Sequence, residues 1–324
     1  MKAIQHYQSQ FIAHLEAYNK ERAPLSLYEP IQYILGLGGK RLRPILTLMT
    51  TDCFDGEVSN ALDAGLAIEV FHNFSLIHDD IMDKAPLRRG QKTVHEKWNL
   101  NTGILSGDAM LIMAYKLFEG YNAKQFQELT ALFSKTALEV CEGQQYDIDF
   151  ETRTDVSIPE YLKMIEYKTA VLVAAAMQMG AIVAHASMEN QQKCYDFGRN
   201  LGIAFQLQDD FLDAYGDPKT FGKQVGGDII ENKKTYLYLK AMALGSEADK
   251  RKLKTLYGED SAHLDEKIAT VLQVFEQTGA AEATNQAIKD YTKAAIDVLN
   301  SLEIDPIKKE GLRDFGIQLI TRTS

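Results

Sequence analysis

Seven prolines, at positions 24, 30, 44, 86, 159, 218 and 306, restrict the fold of this 324-residue chain more than any other feature. Proline inside a helix costs about 3 kcal/mol, because it lacks an N–H and its ring meets the preceding turn. The tracts between 86 and 159 and between 218 and 306 are therefore open to long helices. Other segments agree. Residues 170–186, AVLVAAAMQMGAIVAHA, are apolar nearly all round, as a buried helix requires. Residues 285–302 place apolar side chains at three- and four-residue spacing. Alternating strand patterns are scarce. The expectation is an all-α chain, a single large domain over 1–324 whose helices pack around one central helix layer, with no linker.

Composition narrows the function. Hydrophobic residues make up 45% and charged residues 25%, which excludes a disordered chain. The 35 Lys+Arg against 45 Asp+Glu leave a net charge of −10, which argues against a nucleic-acid partner. An anionic substrate stays open, since local lysines or a divalent metal invert the sign at one site. No apolar run reaches the ~18 residues of a membrane span, and the first residues lack the apolar core of a secretory signal. Three scattered cysteines, Cys53, Cys141 and Cys194, form no CxxC pattern and suggest reduced thiols in the cytoplasm.

One motif occurs twice. His78-Asp79-Asp80-Ile81-Met82-Asp83 and Gln208-Asp209-Asp210-Phe211-Leu212-Asp213 are both DDxxD, and each ends an apolar helical run. On a helix, the first and last aspartates lie on one face, roughly 6 Å apart. Like charges at that spacing destabilise a helix, so a solvated helix end is a poor account of two copies. A hard divalent cation explains them, because magnesium is held by a few carboxylates, waters and substrate phosphate oxygens. Basic residues follow both motifs: Arg88-Arg89-Gly90 after the first, Lys223 and Lys233-Lys234 after the second. Carboxylates for metal with Arg and Lys for phosphate oxygens describe a diphosphate site. Neither motif has the glycine and distal glutamate of an EF-hand.

Across nearly its whole length the chain resembles the trans-isoprenyl diphosphate synthases, the polyprenyl synthetase family. The residues that carry the resemblance are Gly38-Gly39-Lys40-Arg41-Leu42-Arg43-Pro44, the stretch from Ser75 through Asp83, Leu87-Arg88-Arg89-Gly90, Lys168-Thr169, the stretch from Phe205 through Asp213, and Gly222-Lys223 with Gly226-Gly227-Asp228. The resemblance implies a homodimeric all-α isoprenoid-synthase fold with a deep central cavity. It implies head-to-tail condensation of isopentenyl diphosphate with an allylic diphosphate, with about three Mg2+ ions bridging carboxylates to the allylic diphosphate. By position, Asp79, Asp83 and Asp209 are the direct metal ligands, with Asp80, Asp210 and Asp213 in support. Arg88, Lys168, Thr169, Gln206, Lys223 and Lys233 fall to the allylic diphosphate, and Lys40, Arg43, His72 and Arg89 to isopentenyl diphosphate. Helix geometry adds one point: His72, seven residues before Asp79, shares nearly the same helical face.

Taken singly, several of these residues have plainer readings. Lys40, Arg41 and Arg43 fit a solvated turn after two glycines, His72 a hydrogen-bonded helix histidine, and Lys233-Lys234 a solvated face. His95 is taken as structural. In the family, the residues four and five places before the first aspartate help set product length; here they are Ser75 and Phe74, with Phe71 further back. An aromatic at the fifth place and a small residue at the fourth resemble geranylgeranyl synthases, with farnesyl synthases next. Ideal-helix arithmetic sets Phe74 about 140° from Asp79 and Ser75 about 40° away, which leaves Phe74 open to a core role.

Two departures stand out. The C-terminal Leu319-Ile320-Thr321-Arg322-Thr323-Ser324 has one arginine where some farnesyl synthases carry a basic cluster, so closure of the site is expected to differ. Glu142-Gly143-Gln144-Gln145-Tyr146-Asp147 resembles a cavity-lining helix of the family, with bulkier side chains. The rivals are a class I terpene cyclase, which replaces the second DDxxD by an Asn/Ser/Glu triad, and a non-catalytic subunit of a heteromeric synthase, which loses aspartates. All six aspartates are present here.

Overall fold

The computed structural model describes residues 4–216, 225–258 and 263–320. Its helices are α1 (Ile4–Tyr18), α2 (Leu25–Gly36), α3 (Leu42–Cys53), α4 (Leu62–Met82), α5 (Val94–Lys97), α6 (Leu100–Lys116), α7 (Ala123–Thr152), α8 (Ile158–Ile165), α9 (Val171–Val183) and α10 (Met188–Tyr215). Then follow α11 (Gly227–Ile230), α12 (Tyr236–Leu244), α13 (Glu247–Leu256), α14 (Leu264–Gln277), α15 (Ala280–Asn300) and α16 (Pro306–Ile320). Among the described residues the only sheet is a hairpin of β1 (Leu87–Arg88) and β2 (Gln91–Lys92). Its turn residues, Arg89 and Gly90, both have positive φ, the requirement of a tight two-residue hairpin.

The prolines mark helix starts. Pro24 precedes α2, Pro44 is third in α3, Pro159 second in α8 and Pro306 first in α16, where the missing N–H has no intrahelical partner to lose. Pro30 departs from that rule and lies inside α2. The apolar segment at 170–186 is helical over Val171–Val183, shorter than its composition implied. It stops because His185 takes a left-handed φ of 57°, while Ala186 donates to the Ala181 carbonyl at 2.9 Å and His185 to that of Ile182 at 3.0 Å. The periodic segment at 285–302 belongs to α15, which begins five residues earlier.

The chain groups into two compact units. One comprises Met1–Lys135, Ala175–Tyr195 and Leu302–Lys309; the other Thr136–Ala174, Asp196–Ser301 and Glu310–Ser324. Helices α7, α9, α10 and α16 contribute residues to both.

In the first unit α4 is the central helix: every residue from Ala64 through Phe71 is buried. Small residues let α3 and α9 approach closely. Thr47 and Thr51 donate to the carbonyls of Ala176 and Gly180 at 2.9 and 3.1 Å, and a Cβ on Gly180 would lie 2.3 Å from the Thr47 oxygen. The charged exception in this core is Glu69. Its carboxylate accepts from the guanidinium of Arg41 and, at 3.0 Å, from the Asn73 amide. Arg41 also donates to the Leu35 carbonyl, and the paired side chains are only 5% and 3% exposed. Arg41 is thus a buried tie between the loop before α3 and the central helix, not part of a solvated turn.

In the second unit α15 buries a stripe of Thr284, Ala287, Ile288, Ala295 and Leu299, and α12 and α14 pack on it. Gly316 of α16 sits close to Leu201 and Phe197 of α10. Among the described residues no helix is long and apolar enough to cross a membrane.

Removing one partner of a buried ion pair leaves an uncompensated charge. Glu69→Ala is therefore expected to lower stability by about 3–5 kcal/mol in urea denaturation, and Arg41→Met combined with Glu69→Leu by much less.

Candidate active site

Two groups of functional side chains are described, one in each unit. In the first unit, the end of α4 carries the first aspartate motif. Asp79 is half-buried, Asp80 buried at 1% exposure, and Asp83 exposed just past the helix. The hairpin returns Arg88 to this motif. Its Nε lies 2.8 and 3.0 Å from the two Asp80 oxygens and its Nη2 2.7 Å from Oδ1, a two-pronged charged grip. Asp80 is thereby fixed as the partner of Arg88, and Asp79 and Asp83 flank that pair.

Two turns earlier on α4, His72 meets Arg43 at 3.3 Å. Arg89 lies in the same region. Its guanidinium donates to the Gly38 carbonyl and occupies the space that a Cβ on Gly39 would need, 2.8 Å away. Gly38 and Gly39 have φ of 79° and 118°, a backbone that favours glycine, and the missing side chain of Gly39 makes room for the arginine. Lys40 is exposed in the same loop. Burial, then the charges of Arg43, Arg89, Arg88 and Arg41, push His72 well below the usual histidine pKa. It is a neutral imidazole at pH 7. With Arg88 already paired to Asp80, three arginines (Arg41, Arg43 and Arg89) remain near a neutral ring, with Glu69 as a buried counter-charge, and the corner is basic. The four residues expected for isopentenyl diphosphate thus come from one loop (Lys40), the start of α3 (Arg43), α4 (His72) and one hairpin (Arg89) of a single unit.

The aromatic residues before the motif lie in the core of this unit. Phe74 is 8% exposed and packs against Phe71 and His78, with ring centroids 5.4 and 4.8 Å apart. Phe71 packs in turn against Phe133 at 5.2 Å. Ser75 is half-buried, and its hydroxyl donates to the His72 carbonyl at 2.8 Å.

In the second unit, a cavity of about 250 Å³ gathers Lys168, Thr169, Gln206, Asp209, Asp210, Asp213 and Lys233. A π-turn over Glu166–Ala170 joins α8 to α9 and carries Lys168 and Thr169. Gly143 of α7 sits against this turn: a Cβ there would lie 2.2 Å from the Lys168 nitrogen. That contact brings Asp147, one turn on, to Lys168, whose ammonium lies 2.6 Å from its carboxylate. The bulk expected of this α7 segment lies elsewhere, since Gln145 and Tyr146 are exposed and only Asp147 of 142–147 lines the cavity.

Asp210 is buried, and the Tyr161 hydroxyl and the Gln206 amide (2.9 Å) both donate to it. Thr169 extends the chain by donating to Gln206 at 3.2 Å. Burial, then the charges of Asp228, Asp213 and Asp147, hold the Asp210 carboxyl well above the usual range. Asp213 accepts from the backbone N–H of Asp228 at 2.9 Å and so fixes the start of α11. The Lys233 ammonium lies 2.7 Å from Glu231 and 3.8 Å from Asp228. Burial opposes its charge, but these carboxylates and Asp147 hold its pKa above the ordinary value. Lys223 and residues 321–324 lie outside the described residues.

Sequence reasoning missed Tyr161 and Glu231 as cavity residues, and it named Asp147, Asp228 and Lys234 only as parts of longer motifs, without a site role of their own. A signal for Tyr161 existed: the capping box of Ser157 and Glu160 sets the start of α8 and hence the face on which Tyr161 lies. Among the described residues no three His, Cys, Asp or Glu side chains form a ready-made metal cage. The donor set still fits magnesium, which takes one or two carboxylates and completes its shell with waters and phosphate oxygens.

A helical chain with one basic anion corner and one carboxylate-and-lysine cavity is built for substrates carrying phosphates. The polyprenyl synthetase family model matches residues 24–275. The chain is 40% identical over 280 residues to the geranylgeranyl diphosphate synthase of Sulfolobus acidocaldarius, covering 85% of this chain and 84% of that one. It is 37% identical over 281 residues to a short chain isoprenyl diphosphate synthase of Methanothermobacter thermautotrophicus, covering 86% of each. A crystal structure of a geranylgeranyl pyrophosphate synthase superposes with a TM-score of 0.96 at 53% identity over all of both chains. The chain belongs to the polyprenyl synthetase family, the trans-isoprenyl diphosphate synthases, and is a prenyltransferase.

Proposed function

We propose that this chain joins isopentenyl diphosphate head-to-tail (1′–4) to an allylic diphosphate, giving a longer all-trans prenyl diphosphate of geranylgeranyl or farnesyl length. The observation that carries this reading is the sorting of charge. Carboxylates and lysines share one cavity, around Asp209, Asp210, Asp213, Lys168 and Lys233, while arginines surround a neutral histidine elsewhere. The first combination suits an allylic diphosphate that must leave, and the second a diphosphate that is held but does not react.

Asp79, Asp83 and Asp209 are the proposed metal ligands, and both aspartate motifs serve the same leaving diphosphate within one catalytic domain. Magnesium held by these aspartates would supply positive charge to the oxygens of the departing diphosphate. Lys168 and Lys233 would do the same from the cavity, Lys223 is assigned beside them by the resemblance, and Arg88 holds Asp80 beside the first motif. Departure leaves an allylic cation, which the double bond of isopentenyl diphosphate attacks. That substrate is oriented by Lys40, Arg43, His72 and Arg89. Neutral His72 accepts or donates one hydrogen bond without adding to the surrounding charge. Loss of a proton to the released diphosphate completes the step, with no protein base required. The reaction requires that water be kept from the cation, which it would otherwise trap.

The chain is further proposed to work as a homodimer in the cytoplasm. Exposed Leu100, Ile104, Leu105 and Ile112 on α6 support the first point, and three free cysteines support the second. Purified protein with magnesium, isopentenyl diphosphate and each allylic diphosphate in turn is expected to release a linear, longer diphosphate. A hydrocarbon product would indicate a cyclase instead. Asp79→Ala and Asp209→Ala are each expected to lower turnover by about 10²–10³-fold, whereas Asp155→Ala, at an exposed surface pair with Arg153, changes it little. Wild-type turnover in Asp79→Ala would overturn the ligand assignment. Phe74→Ala removes a ring from the core below Asp79 and is expected to lengthen the product. Unchanged chain length in a radiolabelled assay would assign Phe74 to packing alone.

A further inference from the structure

The two consecutive lysines after α11 have different surroundings. The Lys233 ammonium faces the carboxylates of Glu231 and Asp228. The Lys234 ammonium faces away from them and donates to the backbone carbonyls of Phe150 and Glu151, at 2.9 and 3.0 Å. These are among the last carbonyls of α7, which ends at Thr152. The final four carbonyls of a helix have no intrahelical partner, and the helix dipole places partial negative charge there. An ammonium group satisfies both conditions. Two of its three N–H donors are engaged by this turn, so the side chain is committed to the backbone.

The segment that carries Lys234 walls the cavity, and it is tied down at three places. Asp213 of α10 accepts from the Asp228 N–H at 2.9 Å. Lys267 of α14, only 3% exposed, donates to the Asn232 side chain at 2.6 Å. Lys234 supplies the third tie, to α7. Within the segment, the Lys233 N–H donates to the Asp228 carbonyl at 2.9 Å, so moving one end displaces the other. Three helices thus hold one short loop, and side chains outside the aspartate motifs make two of the ties.

We propose that Lys234 is a positioning residue: its ammonium latches the loop bearing Asp228 and Lys233 to the C-terminal turn of α7 and so fixes one wall of the cavity. Its effect on catalysis rests on the reading of that cavity as the allylic diphosphate site; the latch itself does not. Lys234 orders the loop before substrate arrives, and Lys233 is thereby aimed without itself bearing the cost of ordering. Lys267, through Asn232, steadies the middle of the same segment.

Hydrogen exchange on the full-length protein without substrate tests the latch. In Lys234→Met the backbone amides of 229–236 are expected to exchange about tenfold faster, while Lys233→Met leaves them within about twofold. Steady-state kinetics then test the consequence. Lys234→Met is expected to raise the KM for the allylic diphosphate about tenfold and leave that for isopentenyl diphosphate within twofold. Lys234→Gln keeps a neutral donor for the carbonyls and is expected to recover most of both effects. It also carries the test if the methionine variant fails to fold. Unchanged exchange in Lys234→Met overturns the latch. So does a Lys234→Gln variant with wild-type exchange and the full kinetic defect, which would mean that the charge contacts substrate directly. If the wild-type chain turns over no allylic diphosphate, the functional reading fails while the exchange result still decides the latch.

Discussion

Carboxylates crowded into a small cavity repel one another, and the structure around the second aspartate motif answers that repulsion. Asp147, Asp209, Asp210, Asp213, Asp228 and Glu231 all line a space of about 250 Å³. Each of several is assigned a specific partner. Asp210 takes a tyrosine and a glutamine, Asp213 a backbone N–H, Asp147 the ammonium of Lys168, and Glu231 that of Lys233. These partners hold the acids in place, and burial first, then the neighbouring Asp228, Asp213 and Asp147, keep the Asp210 carboxyl well above the usual range. A site left so negative is prepared for cations, and through them for a diphosphate. The same logic at the first motif pairs Asp80 with Arg88 and leaves Asp79 and Asp83 beside that pair.

The first unit solves the opposite problem. Arg41, Arg43 and Arg89 converge near His72, and only one of them, Arg41, is neutralised internally, by Glu69. Like charges kept this close need either a bound anion or strong structural restraint. The restraint comes from Gly39, which admits Arg89, and from the buried tie of Arg41 to α4. Keeping His72 neutral avoids adding a fourth positive charge. Under the proposed assignment this corner holds the diphosphate that does not leave, and the acidic cavity holds the one that does.

Much of this was legible in the sequence, because it is local. Proline spacing gave the helical class, and the DDxxD repeats gave the acidic sites at the ends of α4 and along α10. His72 was named through the family resemblance, and helix periodicity added only that it shares a face with Asp79 two turns on. What stayed hidden depends on contacts far apart in the chain. Tyr161 reaches Asp210 across 49 residues and Lys234 reaches α7 across 84. Nothing in either local pattern signals such a partner. The π-turn at Glu166–Ala170 is likewise invisible to a 3.6-residue period, and it is what aligns Lys168 with Asp147. Arg41 was misjudged for the same reason, since its partner Glu69 looks like an ordinary surface glutamate in sequence.

A double-mutant cycle tests most directly whether both aspartate motifs serve one leaving diphosphate. The quantity is kcat/KM for the allylic substrate at saturating magnesium, in Asp79→Asn, in Asp209→Asn and in the double variant. Groups that act as a unit lose nearly everything with the first removal, so the double variant should be little worse than the poorer single one. Losses that multiply, with the double variant as slow as the product of both single defects, would show two independent sites and contradict the account.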